Sequence, residues 1–154
     1  VKSKNLPKLP DTYGSPTYFF DATNDCASIA AALREQGRKV VQFHELFKDS
    51  ETKDPIWMRE VCRRGYIVVT KDKNLLNRTN CLMIWYRAKG RIFQLASGVS
   101  DRHQITKALL AALRKMEKII ETVPPPFVVR ILVGGEVEMV RPDDLDLPFL
   151  SDTT

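Results

Sequence analysis

The chain has 154 residues, of which 44% are hydrophobic and 28% charged, and it carries a formal net charge of +5. That length suffices for one domain with a core of its own, no apolar run approaches the roughly 20 residues of a membrane-spanning helix, and no signal peptide is read at its start. Its three cysteines, Cys26, Cys62 and Cys81, share no CxxC spacing, which argues against a disulfide framework or zinc site and for small buried thiols in a reducing cytoplasm.

Residues 1–16 hold three prolines, one glycine and several lysines and read as an extended arm. Tyr18-Phe19-Phe20 then makes a short apolar strand ending at Asp21. Thr23 or Asn24 is placed to cap a helix over 25–36, stopped by Gly37, with Cys26, Ile29, Ala30 and Leu33 on one face. Val40, Val41 and Phe43 form a second strand, followed by a loop over 44–53 that carries Glu45, Asp49 and Glu51. Asp54-Pro55 is a strong helix start, an N-cap acid with Pro at the first position, and the helix runs to about residue 64 before Gly65. Tyr66-Ile67-Val68-Val69 is rich in β-branched residues without alternation, as in a strand buried on both faces, and it ends abruptly in Thr70-Lys71-Asp72-Lys73-Asn74.

Thr79 or Asn80 starts a helix to about residue 89, with Gly90 as its stop, and residues 91–95 supply another strand. Ser100 is placed to cap the longest helix, over 101–121, whose Ile105, Leu109, Ala112, Leu113, Met116 and Ile120 keep a 3.6-residue period. Three prolines at 124–126 forbid its continuation. Segments 127–133 and 136–140 flank Gly134-Gly135 as a tight hairpin. The alternation predicts an α/β three-layer sandwich with a mainly parallel central sheet and a terminal β-hairpin over 17–141.

Charge divides unevenly along this order. Residues 1–135 carry 23 basic and 13 acidic side chains, +10, whereas residues 136–154 carry six acids and one arginine, −5. A basic body suits a polyanionic partner such as nucleic acid, and suits an ordinary solvated surface equally. The tail over 142–154 mixes acids with Leu145, Leu147, Phe149 and Leu150; it reads as a disordered end, with docking on the basic body as the alternative.

Three acids stand at matched positions. Asp21 ends the first strand, Asp54 opens the second helix and Asp72 follows the third strand, 33 and 18 residues apart. In a parallel sheet, strand C-termini and the following helix N-termini lie along one edge, where ligands bind. Carboxylates gathered there repel one another unless a cation neutralises them, which points to a hard ion such as Mg²⁺ or Mn²⁺. Each acid also has a plain structural reading: Asp54 as a helix cap, Asp21 as an Asx-turn residue. Asp72 is harder to explain that way. Glu45 lies in the same edge region, with Asp49 and Glu51 competing; Asp101 reads as a first-turn acid complementing the helix dipole. His44 and His103 have no partner at metal or triad spacing.

The segments Phe19-Phe20-Asp21, Leu33-Arg34-Glu35-Gln36-Gly37, Asp54-Pro55-Ile56-Trp57 and Ile67-Val68-Val69-Thr70-Lys71-Asp72, in this order, resemble a PIN-like domain, most closely the VapC-related toxin branch. The likeness extends from about residue 18 to 140. It implies a Mg²⁺- or Mn²⁺-dependent ribonuclease, the toxin of a toxin–antitoxin pair, with RNA and a protein antitoxin as partners and homo-oligomer formation as an option. It further implies that Asp21, Asp54 and Asp72 hold the metal and that Thr70 is the hydroxyl beside them. The family's remaining acid, usually a Glu on an early helix, has no clear counterpart; Glu45 is the nearest candidate. Relatives place Asn two residues after the first acid, where this chain has Thr23. Lys71, Lys73, Arg102, Lys107, Arg114 and Lys115 are the candidates for tracking an RNA backbone. A catalytically weak nucleic-acid- or partner-binding module on the same fold is the alternative.

Overall fold

The computed structural model describes residues 15–22 and 27–140. Residues 1–14 of the arm, the proposed caps Thr23 and Asn24, Cys26 and the tail over 142–154 lie outside the described residues.

The elements are β1 (Thr17–Phe20), α1 (Ala27–Glu35), β2 (Lys39–Gln42), α2 (Phe43–Leu46), α3 (Asp54–Arg63), β3 (Ile67–Thr70), a 3-10 turn (Leu75–Asn77), α4 (Thr79–Arg87), β4 (Arg91–Leu95), α5 (Arg102–Thr122), β5 (Phe127–Ile131) and β6 (Val137–Met139). They form one six-stranded sheet in the order β2-β1-β3-β4-β5-β6. All pairings are parallel except the β5–β6 hairpin. The expected three-layer architecture with its terminal hairpin is what the chain adopts.

The strand sequences explain the layers. Successive side chains of a strand point to opposite faces, and both faces here are apolar. Tyr18, Phe20, Ile67, Val69, Phe93, Leu95, Phe127 and Val129 join α1 and α5 in one core. The intervening Phe19, Val68, Ile92 and Val128 join α2, the 3-10 turn, α3 and α4 in the other. An unalternated strand such as β3, buried at all four positions, is therefore necessary rather than anomalous.

Four local readings are corrected. Phe43 does not continue β2 but opens α2, because Glu45 accepts a hydrogen bond from the Gln42 N–H (2.7 Å) and closes a helical turn there. Asp54 is the first residue of α3 rather than its cap; Lys53 holds the cap position, and the Asp54 carboxylate turns elsewhere. Asp101, not Ser100, caps α5, accepting from the Gln104 N–H at 2.8 Å. After α4 the left-handed residue is Lys89 (φ 55°), while Gly90 serves close packing: a Cβ there would lie 2.9 Å from Trp85 Cδ1.

A buried ion pair ties the β2 edge of the sheet to the helix layer over it. Arg38, just before β2, donates to Glu117 of α5 at 2.6 and 2.8 Å, with side chains only 4% and 8% exposed. Tyr18 lies beside it, its phenol pushed up in pKa by burial first and by Glu117 second.

Candidate functional site

β1 lies between β2 and β3. The chain therefore leaves β1 toward one side through α1 and returns to its other side through α3. Because α1 and α3 cover opposite faces, a crevice opens at the carboxyl ends of β1 and β3, the switch point where α/β sheets bind ligands.

Asp21 follows β1 at this point and is 5% exposed. Thr70, the last residue of β3 and fully buried, donates its hydroxyl to Asp21 Oδ2 at 2.5 Å and accepts from the Asp72 N–H at 3.0 Å. Asp72 lies two residues beyond the strand, where its Oδ1 accepts from the Asn74 N–H at 2.9 Å. Asp54 arrives from the first turn of α3, its Oδ1 held by the indole N–H of Trp57 at 2.8 Å. Trp57 is itself fixed in the core against Phe19, ring centroids 5.5 Å apart.

One further side chain joins the acids. Arg78 Nη1 stands 3.0 Å from Asp54 Oδ2 and 3.0 Å from Asp72 Oδ2. The hydrogen bond to Asp72 is the main cause holding the guanidinium pKa above its usual value. Asp21, Phe43, Asp54, Trp57, Asp72 and Arg78, with the loop over 50–53, line a cleft of about 530 Å³. Sequence reasoning passed over Arg78, whose signal was a lone arginine six residues after Asp72, at the threshold of a helix.

The other sequence candidates distribute unequally. Glu45 is engaged by the Gln42 N–H and by Arg34 at 3.0 Å; the backbone hydrogen bond is the first cause of its lowered pKa. It is not among the residues lining the cleft. Lys71 Nζ donates to the Ser100 carbonyl at 3.2 Å and Lys73 Nζ to the Ser97 hydroxyl, so both lean toward the loop preceding α5. Arg102, Lys107, Arg114 and Lys115 are exposed along α5. Arg102 opens α5, which follows the carboxyl end of β4, and Arg114 and Lys115, 12 and 13 residues further on, lie about 18–20 Å from it along the axis at 1.5 Å per residue.

The donors fit a hard divalent ion in kind, being carboxylate oxygens, and the shared guanidinium marks the space between Asp54 and Asp72 as a position for positive charge. As they stand, however, no group of three or more His, Cys, Asp or Glu side chains among the described residues is disposed to hold one ion. Asp54 and Asp72 converge on one point, and Asp21 reaches them through Thr70. Both described cysteines, Cys62 and Cys81, are free and buried, their thiols pushed up to about 11 by desolvation, as inert core residues are.

An α/β sandwich with an acid-lined cleft at its switch point is the class of protein that the fold and the site define. The chain belongs to the PIN-like domain family: the model of that family, described as a PIN like domain, matches residues 16–97, more than half of the chain and all of the elements that carry Asp21, Asp54, Asp72 and Arg78. No curated protein and no solved structure matches the chain. PIN-like domains are usually nucleases, so membership points to nuclease-type function on a nucleic-acid substrate. No helix among the described residues is long and apolar enough to cross a membrane.

Proposed function

We propose that the chain is a metal-dependent endoribonuclease whose acidic edge is Asp21, Asp54 and Asp72. The observation that carries this reading is the convergence of Asp54 Oδ2 and Asp72 Oδ2 on one cationic atom, 3.0 Å from each, in a cleft that also exposes the Asp21 edge. Mg²⁺ or Mn²⁺ bound by these carboxylates would supply neutralising charge and Lewis acidity for hydrolysis of a phosphodiester. The chain's own residues do the rest. Trp57 and the Asn74 N–H fix the orientation of Asp54 and Asp72, and Thr70 holds Asp21 in register with Asp72. Lys71, Lys73 and Arg102, at the same edge, attract the phosphate backbone electrostatically. Glu45 remains the proposed fourth acid only if its pairing with Arg34 opens.

The finer assignment to the VapC-related branch, as a cytoplasmic toxin neutralised by a protein antitoxin, is supported by the order of the Phe19-Phe20-Asp21, Asp54-Pro55-Ile56-Trp57 and Thr70-Lys71-Asp72 motifs. A toxin reading requires that expression arrest growth and that Asp72→Asn relieve the arrest.

The test is cleavage of single-stranded RNA by purified protein with Mg²⁺ or Mn²⁺. The expected result is cleavage abolished by chelation and lowered at least about 100-fold in Asp72→Asn, with the circular dichroism spectrum unchanged. Undiminished cleavage in both Asp21→Asn and Asp72→Asn refutes the assignment. A second reading, a binding module without hydrolytic activity, is favoured by the absence of a three-acid metal group among the described residues; tight RNA binding without metal-dependent cleavage is its signature.

A further inference from the structure

Asp54 and Asp72 share a pattern of bonding that separates their two oxygens. Each Oδ1 is held by a neutral donor belonging to the fold: the Trp57 indole at 2.8 Å for Asp54, and the Asn74 N–H at 2.9 Å for Asp72. Each Oδ2 is turned to the same nitrogen, Arg78 Nη1. The aim of both Oδ2 atoms therefore does not depend on Arg78, since Trp57 is buried among Phe19 and Phe43 and Asn74 acts through its backbone. Two anionic oxygens fixed toward one point repel each other, and something positive must occupy that point.

Arg78 is built to occupy it without being locked there. Its backbone is committed to the fold, accepting from the Leu82 N–H at the start of α4 (3.0 Å), but its side chain is 49% exposed. A half-exposed ion pair on a long flexible side chain holds weakly. A guanidinium usually meets a carboxylate with its two-pronged fork, whereas here a single nitrogen is shared between two different acids, as a point charge would be.

We propose that Arg78 is a resident counter-ion that competes with a divalent cation for the Asp54 and Asp72 carboxylates, and so sets the cation concentration at which the cleft loads. This inference rests on the reading that the acidic edge takes a divalent ion. In the unloaded protein Arg78 keeps the two carboxylates apart in charge and together in space; on loading, its guanidinium leaves and the pair is already aimed.

The experiment is Mn²⁺ binding to the full chain, followed by the electron paramagnetic resonance of free Mn²⁺ and by calorimetry, for wild type, Arg78→Gln, Arg78→Lys, Asp72→Asn and Arg78→Gln/Asp72→Asn. Arg78→Gln is expected to bind Mn²⁺ about tenfold more tightly, equivalent to ~1.4 kcal/mol. Arg78→Lys, which keeps the charge, is expected to stay near wild type, and Asp72→Asn to lose tight binding in both backgrounds. Nitrogen-15 spectra of wild-type protein give a reading independent of any variant's folding: Mg²⁺ is expected to move the Arg78 Nε–Hε signal toward the position of free arginine. If folded Arg78→Gln binds no more tightly than wild type, or the Arg78 signal stays fixed at saturating Mg²⁺, Arg78 is a structural ion pair and the inference fails while the metal reading stands. If no variant binds Mn²⁺ in the millimolar range, the metal reading fails and takes the inference with it.

Discussion

Thr70 and Asp21 meet across the switch point, the buried hydroxyl donating to Oδ2 at 2.5 Å while accepting from the Asp72 N–H at 3.0 Å. One oxygen atom thus sets the distance between the acid of β1 and the acid beyond β3. Thr70→Val keeps the shape and removes both bonds. The expected cost is about 1–3 kcal/mol in stability, that of buried groups losing a partner, together with a ~10–100-fold loss of RNA cleavage. Thr70→Ser is expected to restore most of both. Urea titration and initial rates on the three proteins check this.

Trp57→Phe retains an aromatic body against Phe19 and Phe43 and deletes the indole N–H that holds Asp54 Oδ1. Stability is expected to fall by about 0.5–1.5 kcal/mol, the ordinary net value of one hydrogen bond. Cleavage should fall more, by roughly tenfold or greater, because an unheld ligand is misaimed. A parallel loss in stability alone shows that the indole serves packing only.

Separating the basic residues by their distance from the carboxyl edge of the sheet yields a different kind of expectation. Lys73→Glu and Arg102→Glu, both just beyond the carboxyl ends of sheet strands, should each weaken RNA binding and flatten its dependence on salt by about one unit of slope. Arg114→Glu and Lys115→Glu, two-thirds of the way down the helix, should weaken it less. Binding isotherms at three salt concentrations distinguish the groups, and equal effects mean that RNA runs along the whole of α5.

Alkaline stability follows from Cys62. Its folded-state thiol pKa is raised from 9.0 to about 11 by desolvation. Below pH 9 the thiol is neutral in both states and its contribution is complete. As pH rises from 9 toward 11 the unfolded chain releases its proton first, so the unfolding free energy falls, by at most about 2–3 kcal/mol for a two-unit shift. Urea midpoints at pH 8 and pH 10.5 should show the fall, and Cys62→Ala should reduce it.

Gly135 anchors the β5–β6 hairpin to α5. It has φ +89°, and a Cβ there would lie 2.5 Å from Ala111 Cβ and 3.1 Å from its backbone carbon, so no flexible side chain can yield. Gly135→Ala is expected to lower stability by about 1–3 kcal/mol. At Gly134 the nearest atoms belong to the mobile Glu136 side chain, so Gly134→Ala should be much milder. Thermal unfolding of the pair checks both.

Much of the fold could be read from residue order. Unalternated apolar runs and a 3.6-residue period, with Gly37, Gly65 and the prolines at 124–126, mark strands and helices well, because burial of apolar faces and the φ demands of glycine and proline act locally. The same locality misled at Phe43, where the Glu45 carboxylate accepts from the Gln42 N–H and turns an apolar strand end into a helical turn, and at Asp54, a cap by sequence that faces the cleft instead. Capping by a side chain is decided by which partner wins: the Asp54 carboxylate is taken by the Trp57 indole one turn along α3 and by Arg78, a tertiary partner 24 residues away.

What the sequence determined by itself is the α/β alternation, the unalternated β3 and the assignment of Asp21, Asp54 and Asp72 to ends of elements, since each depends on neighbours within a few residues. Only the tertiary structure decided that β1 pairs with β3 and opens a crevice between α1 and α3, that Thr70 reaches back 49 residues to join Asp21 to Asp72, and that Arg78 stands between two carboxylates. These depend on strand order and on charges brought together from separate elements, and a one-dimensional pattern carries no distance between side chains on different elements.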